Sequence, residues 1–153
     1  MRKPIHADAE LLIRLYELRQ EPELRRARRW FLTEFKPAGW PEIQARYLSH
    51  SDEDRWMRQV VSYWEMVATI VNSGVLQAEL FFEHTGEEIV AWERVKPWVH
   101  GARGSIRPTY LHQFERLVND HLAYRAKQRA ALERAAARGA SSRPRARAAR
   151  RAR

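Results

Sequence analysis

One carboxylate and two arginines are the side chains in this sequence best placed to do chemistry. Glu65 is the ionisable residue midway along the most apolar stretch of the chain, where a paired carboxylate can serve as a general acid or base. Arg103 and Arg107 lie close to two glycines, and two guanidinium groups can hold a phosphate or carboxylate through paired hydrogen bonds. Glu65, Arg103 and Arg107 are therefore the candidate site for a small anionic ligand or for catalysis. The favoured interpretation is nevertheless structural, with Glu65 facing solvent or paired with an arginine such as Arg103 or Arg107, and the arginines solvated or paired.

Other kinds of catalytic or metal site find little support in the residues. The chain has no cysteine, which excludes disulfides, thiolate metal sites and a cysteine nucleophile. Glu-x-x-His, His-Glu-x-x-His, phosphate-binding glycine loops and Gly-x-Ser-x-Gly do not occur. We predict no metal, no cofactor and no assigned catalytic residue, a pattern that favours a non-enzymatic protein over an enzyme.

Positive charge is concentrated at the C-terminal end of the chain. Residues 125–153 contain eleven Lys and Arg and the single acid Glu133, a net charge of +10. Residues 1–124 contain seventeen bases and eighteen acids, a net charge of −1. This segregation predicts a helical domain at 1–124 and a basic Ala/Arg-rich extension at 125–153, helical at first and then a disordered tail.

The extension supplies a second candidate site, for nucleic acid. Its candidate residues are arginines spaced by alanine and serine: Arg138, Arg143, Arg145, Arg147, Arg150, Arg151 and Arg153. Such arms bind phosphates by releasing counterions, and the binding is sensitive to salt. No aromatic residue follows Tyr124, so base stacking is not available and binding would be nonspecific. The alternatives are a solubilising or incidental extension, and contact with an anionic membrane surface, for which the tail has no apolar anchor.

Helices must position these residues, because apolar side chains recur at helical spacing and no segment alternates at period two. The predicted class is all-α, a single irregular helical bundle. Helices are predicted at 8–20, 22–34, 41–48, 51–73, 77–84, 87–98 and 109–139. Asp8 is the predicted cap of the first helix. Pro97 is expected to kink or end the sixth helix, which places Arg103 and Arg107 in a loop.

The helix from Ser51 to Ser73 is the predicted centre of the bundle. Ser51 can cap its start, and Gly74 can supply the left-handed stop. One narrow polar stripe runs along it, formed by Arg58, Ser62, Glu65, Thr69 and Asn72. A helix that is apolar around most of its circumference must be surrounded by other helices.

The second helix shows a contrasting pattern. Its predicted inward face is Leu24, Ala27, Phe31 and Phe35. Four arginines then cluster around the rest of its circumference: Arg25, Arg26, Arg28 and Arg29. Among the six tryptophans, Trp40 and Trp98 lie beside prolines near predicted helix ends, so they are the ones most open to partial exposure and a protein partner. Packing in the core is the favoured interpretation for both.

Two features bear on location. Acidic residues precede any apolar run near Met1, so no signal peptide is expected. The most apolar window, 60–71, is interrupted by polar residues and is shorter than the roughly 20 residues that span a bilayer. We therefore predict a cytoplasmic protein with no membrane span.

Several segments resemble a known family. They are the run from Ala9 to Arg19, the run from Pro22 to Arg28, the centre Ser62-Tyr63-Trp64-Glu65-Met66-Val67-Ala68, and Gly74-Val75-Leu76. Together they resemble a family of small bacterial helical proteins known only as a domain of unknown function, over roughly residues 8–122. The resemblance implies an all-helical fold and no activity, cofactor or catalytic residue.

The leading hypothesis is a non-enzymatic cytoplasmic interaction or accessory protein with an unidentified protein partner. Nonspecific nucleic-acid binding through the tail is the first alternative. Ligand binding or catalysis near Glu65 and Arg103 is the second.

Overall fold

The computed structural model describes residues 2–141, and within that range all regular structure is helical. The elements are α1 His6–Gln20, α2 Pro22–Thr33, α3 Trp40–Glu42, which continues into a π-helical segment Ile43–Tyr47, α4 Asp52–Asn72, α5 Ala78–His84, α6 Glu87–Ser105 and α7 His112–Ser141. The predicted all-α class is confirmed.

The chain divides into two compact units, Met1–Asn119 and Asp120–Arg153, with the boundary inside α7. The first unit contains α1 to α6 and the first turns of α7. The predicted division into a helical domain at 1–124 and a basic extension at 125–153 stays a prediction. The second unit is described as the rest of α7, which runs to Ser141 rather than ending by Gly139. The expected disorder beyond it concerns residues 142–153, which lie outside the described residues.

α4 is the central helix, as predicted. The Ser51 hydroxyl accepts a hydrogen bond from the Asp54 N–H at 3.2 Å, and three acids in the first turn lie at the positive end of the helix dipole. Gly74 takes the left-handed conformation after the helix, with φ of 77°. α4 contacts α2, α5 and the π-helical segment. The buried side chains of its apolar face are Met57, Val60, Val61, Trp64, Val67, Ala68 and Val71.

α6 departs from the prediction. It runs through Pro97 to Ser105, so the expected loop around Arg103 is wrong: Arg103 lies on a helix and only Arg107 lies in the turn that follows. The reason is a close contact with α3. A Cβ added at Gly101 would lie 2.3 Å from the Cβ of Trp40, whose Nε1 donates to the Ser105 hydroxyl at 3.1 Å. Gly101 therefore allows two helices to approach and does not end one.

The continuation of α6 also buries Trp98. Its side chain is 1% exposed, its Nε1 donates to the Arg94 carbonyl at 2.8 Å, and its ring packs near Phe35 and Tyr110. Trp98 is therefore packed, as the favoured interpretation has it, whereas Trp40 is half-buried.

Asp8 is not the cap residue of α1. The helix begins at His6, and the buried Asp8 carboxylate accepts the Ile5 N–H at 2.8 Å from within the first turn. Asp8 also accepts both terminal nitrogens of Arg2 at 2.5 Å and the Gln77 N–H at 2.9 Å. These bonds tie the start of the chain to the segment after α4. Because the guanidinium of Arg2 and the backbone N–H groups stabilise the charged form, they hold the pKa of Asp8 well below its ordinary value.

No helix in the described part of the chain has both the length and the apolar character needed to cross a membrane.

Candidate functional site

The candidate site lies where α7 begins. The turn that enters this helix contains Leu111, whose φ of 55° is in the left-handed region although its side chain is buried. A non-glycine residue held there costs on the order of 1 kcal/mol, so surrounding contacts must stabilise the turn. Glu65, Asn72 and Arg103 provide them, and we call these three side chains with the turn they hold the α7 clamp.

Glu65 binds the first N–H groups of α7. Its carboxylate accepts from the Phe114 N–H at 2.8 Å and from the Gln113 N–H at 3.3 Å. The first N–H groups of a helix have no partner within the helix, and a negative charge there also interacts favourably with the helix dipole. Asn72, which lies farther along the same polar stripe of α4, donates to the Gln113 carbonyl at 3.0 Å. Two residues of the polar stripe of α4, Glu65 and Asn72, therefore hold the first turn of α7.

Arg103 binds the carbonyl side of the same turn. Its Nε donates to the Tyr110 carbonyl at 3.0 Å, a terminal nitrogen contacts the Leu111 carbonyl at 3.5 Å, and it pairs with the Glu115 carboxylate at 2.8 Å. The side chain is 18% exposed. Its guanidinium is thus directed at the backbone and at one acid of α7.

Arg107 does not join Arg103 in a fork. It is exposed, and its guanidinium carbon lies 5.9 Å from the centre of the Tyr110 ring, a cation–π contact. The structure therefore brings Glu65 and Arg103 to one turn, where they bind different backbone groups, and places Arg107 at its surface. These contacts favour the structural interpretation of the three residues. Binding of a small anion by them stays a prediction.

A second polar cluster, which the sequence interpretation missed, joins α1, α2 and α6. The Glu87 carboxylate accepts hydrogen bonds from a terminal nitrogen of Arg19 at 2.5 Å and from the Arg28 Nε at 2.7 Å. It accepts a further hydrogen bond from a terminal nitrogen of Arg28. The exposed fraction of the side chain is 13% for Arg19, 12% for Arg28 and 17% for Glu87. We call them the Glu87 triad. The signal available in the sequence was the position of Arg28, four residues after Leu24 and three before Phe31, at the edge of the apolar stripe.

The triad sets the electrostatics of the interior around α4. Burial alone would raise the pKa of Glu87, but the hydrogen bond from Arg28 and the charge of Arg19 outweigh it, so the pKa is lowered. Arg19 also lies 5.6 Å from the centre of the Trp64 ring. Beside it, Tyr63 donates to the Leu15 carbonyl at 3.0 Å, and burial raises the pKa of this phenol far above its ordinary value. The Glu87 carboxylate is bound by both guanidinium groups, which suits a structural link between helices, and the buried Nε of Arg19 is left without a hydrogen-bond partner among the described residues.

The candidate nucleic-acid interface falls largely outside the described residues. Arg138 lies on α7 and is exposed, whereas the other six arginines follow residue 141. Residues 2–141 also contain no group of three or more His, Asp or Glu side chains that could hold a metal ion.

The comparisons with known proteins give a family and no activity. The family described as domain of unknown function (DUF4760) matches residues 4–121, which confirms the resemblance to an uncharacterised family. No curated protein and no solved structure matches the sequence.

Proposed function

The chain belongs to this DUF4760 family, and from the contacts of its own residues we propose that it is a non-enzymatic cytoplasmic interaction or accessory protein. The observation that carries the proposal is the α7 clamp. Glu65 and Arg103 were the side chains best placed for chemistry, and their polar atoms are bound to the backbone at the start of α7.

General acid–base catalysis needs a carboxylate within hydrogen-bond reach of a substrate proton. Both Glu65 oxygens already accept N–H groups, and releasing them would leave the start of α7 unsatisfied next to a strained leucine. The Glu87 carboxylate is engaged in a similar way, because it is shared by two guanidinium groups. The buried charges of the first unit support the fold and leave its surface to make contacts.

A turnover screen tests the proposal. The full chain, Glu65→Gln and the exposed control Glu34→Gln are assayed against a broad set of hydrolase and transferase substrates. We expect no turnover by any of the three proteins. Turnover by the native chain that is lost in Glu65→Gln but retained in Glu34→Gln would overturn the proposal.

The charge of the C-terminal extension supports a second candidate function, nonspecific nucleic-acid binding. Its net charge of +10 is carried without aromatic residues, which suits phosphate binding and not base readout. Affinity for duplex DNA is measured across a salt series for the full chain and for a full-length variant in which the seven candidate arginines are replaced by glutamine. We expect the variant to bind more weakly with a shallower salt dependence, since each phosphate that is no longer neutralised lowers the slope by about 0.9. Equal affinity and slope would rule this function out.

A further inference from the structure

The solvent side of α2 carries three arginines that have no partner among the described residues. Ala27, Trp30 and Phe31 bury one side of this helix. On one flank of the helix the Arg28 side chain donates to Glu87. On the other flank Glu23 accepts a hydrogen bond from Arg55. Arg25, Arg26 and Arg29 remain on the exposed side, and we call them the arginine face.

The absence of partners sets these residues apart. Among the described residues no hydrogen bond, ion pair or ring contact engages the three guanidinium groups, whereas every other arginine of α1 to α6 has a carboxylate or backbone partner. Those partnered arginines are Arg14, Arg19, Arg28, Arg46, Arg55, Arg58, Arg94 and Arg103. Within α1 to α6 the unpaired arginines thus fall together on one helix face.

This clustering opposes helix stability. Arg25 and Arg29 are four residues apart and Arg26 and Arg29 three apart, so their side chains are neighbours on the helix surface. Like charges at such spacings destabilise a helix by roughly 0.2–0.5 kcal/mol per pair. A local feature that costs stability and contacts nothing in its own unit is the kind expected of a binding surface.

We propose that the arginine face docks an acidic protein segment, with carboxylates one helical turn apart paired to Arg25 and Arg29. This inference rests on the proposed interaction function and supplies the chemistry of the partner. Guanidinium groups suit it because their planar fork binds a carboxylate through two parallel hydrogen bonds.

The surroundings of the face select a short acidic segment over a nucleic acid. Arg25 and Arg29 are separated by about 6 Å along the helix axis, since each residue rises about 1.5 Å. Glu21 precedes the face and Glu34 follows it, and both are exposed. A phosphate backbone that continued past the arginines would meet these carboxylates, whereas two or three acids on a protein segment end within the face. A second copy docking face to face is disfavoured, because a twofold contact would bring the arginines of both copies together.

Charge-reversed variants of the full chain test the proposal. The probe is a fluorescent alanine-based helical peptide with two glutamates one turn apart, and its matched control has glutamines there. Arg25→Glu with Arg29→Glu is compared with Arg150→Glu with Arg151→Glu, which changes the net charge equally in the tail. We expect more than about tenfold weaker binding of the glutamate peptide for the α2 variant and less than about threefold for the tail variant. If thermal unfolding shows that the Arg25→Glu, Arg29→Glu variant does not fold, the variant with Arg25→Gln and Arg29→Gln takes its place.

A label placed on the face locates the contact. The chain has no cysteine, so Thr33→Cys carries a fluorophore beside Arg29 without background labelling. Thr69→Cys on α4 is a matched control, because both threonine hydroxyls are exposed and donate to the carbonyl four residues earlier at 2.8 Å. We expect the glutamate peptide to change the signal at position 33 and not at position 69.

Three results would overturn the proposal. The first is an equal reduction of peptide affinity in the α2 and tail variants, and the second is equal binding of the glutamate and glutamine peptides. The third is binding of duplex DNA that requires the α2 arginines while binding of the glutamate peptide does not. Any of these without turnover in the substrate screen removes the acidic partner and leaves the accessory role. Turnover lost in Glu65→Gln removes the accessory role independently of this titration.

Discussion

The α7 clamp and the arginine face use the same kind of charged residue to opposite effect. In the clamp, Arg103 is mostly buried and directs its donors at two backbone carbonyls and Glu115. On α2, three arginines are exposed and have no partner among the described residues. The difference teaches that the presence of neighbouring arginines in a sequence does not by itself identify a binding site. The hydrogen bonds that each arginine already makes within the fold decide whether it is available to a partner. A guanidinium with its donors engaged holds the fold, and one with its donors free can hold a partner.

Among engaged and free charges, the largest loss of stability is expected when the Glu87 triad is broken. Glu87→Gln leaves Arg19 and Arg28 without a countercharge at a largely buried site, which lowers the free energy of unfolding by about 3 kcal/mol. Glu93→Gln is the control, because its partner Lys96 is half-exposed and surface pairs contribute about 0–1 kcal/mol. Urea denaturation of both variants measures the difference, and equal small reductions would show that the triad does not fasten the helices.

The clamp also depends on α6 continuing far enough to present Arg103. Gly101→Ala places a Cβ against Trp40 and should lower the free energy of unfolding by about 2 kcal/mol through overpacking. Gly104→Ala on the same helix meets no atom within 4 Å and should raise it by about 0.5–1 kcal/mol, since alanine favours a helix. Thermal unfolding of the two variants should shift in opposite directions. A shift in the same direction would contradict the close contact of α3 with α6.

Removing the charge of the clamp itself should have a smaller effect. Glu65→Gln replaces one of the two accepting oxygens by an NH2 group, which cannot accept the backbone N–H, and removes the negative charge at the start of the helix. Together these changes cost about 1.5 kcal/mol. Chemical denaturation measures the decrease. Glu34→Gln, an exposed acid, serves as control, and an equal decrease there would remove the special role of Glu65.

The pH dependence of stability separates the two kinds of charge. The pKa of Glu87 and the pKa of Asp8 are lowered in the folded chain, so the unfolded chain binds more protons as pH falls below the ordinary carboxyl range of about 4. Their contribution is present above that range and is lost as pH falls through the folded values. We expect stability to decline in acid below about pH 4, and less steeply in Glu87→Gln. An unchanged acid profile in that variant would show that the pairing with Arg19 and Arg28 has no effect on stability.

The smallest effect is expected on the arginine face. Arg29→Gln removes the repulsion of Arg29 with Arg25 and with Arg26. It should leave the free energy of unfolding unchanged or raise it by about 0.5 kcal/mol. Arg28→Gln, one residue away but bound to Glu87, should lower it. A decrease from Arg29→Gln as large as that from Arg28→Gln would mean that Arg29 has a structural partner.

The sequence predicted what adjacent residues decide and missed what distant residues decide. The Ser51 cap, the Gly74 stop and the apolar circumference of α4 are local patterns, and they were predicted correctly. The role of Gly101 depends on Trp40, 61 residues away in the sequence, and a glycine read locally is only a helix breaker. Glu65 was singled out for its place among apolar residues, but its partners are backbone groups of α7, which no side-chain pattern reveals.

Hydrogen exchange at the Phe114 amide tests most directly whether Glu65 holds the fold. If the carboxylate accepts this N–H, the amide is protected in the native chain and exchanges about tenfold faster in Glu65→Gln, the equivalent of about 1.4 kcal/mol, while amides in α2 keep their rates. A Phe114 amide that exchanges freely in the native chain, or at the same rate in both proteins, would contradict the structural role of Glu65 and return it to the set of candidate functional residues.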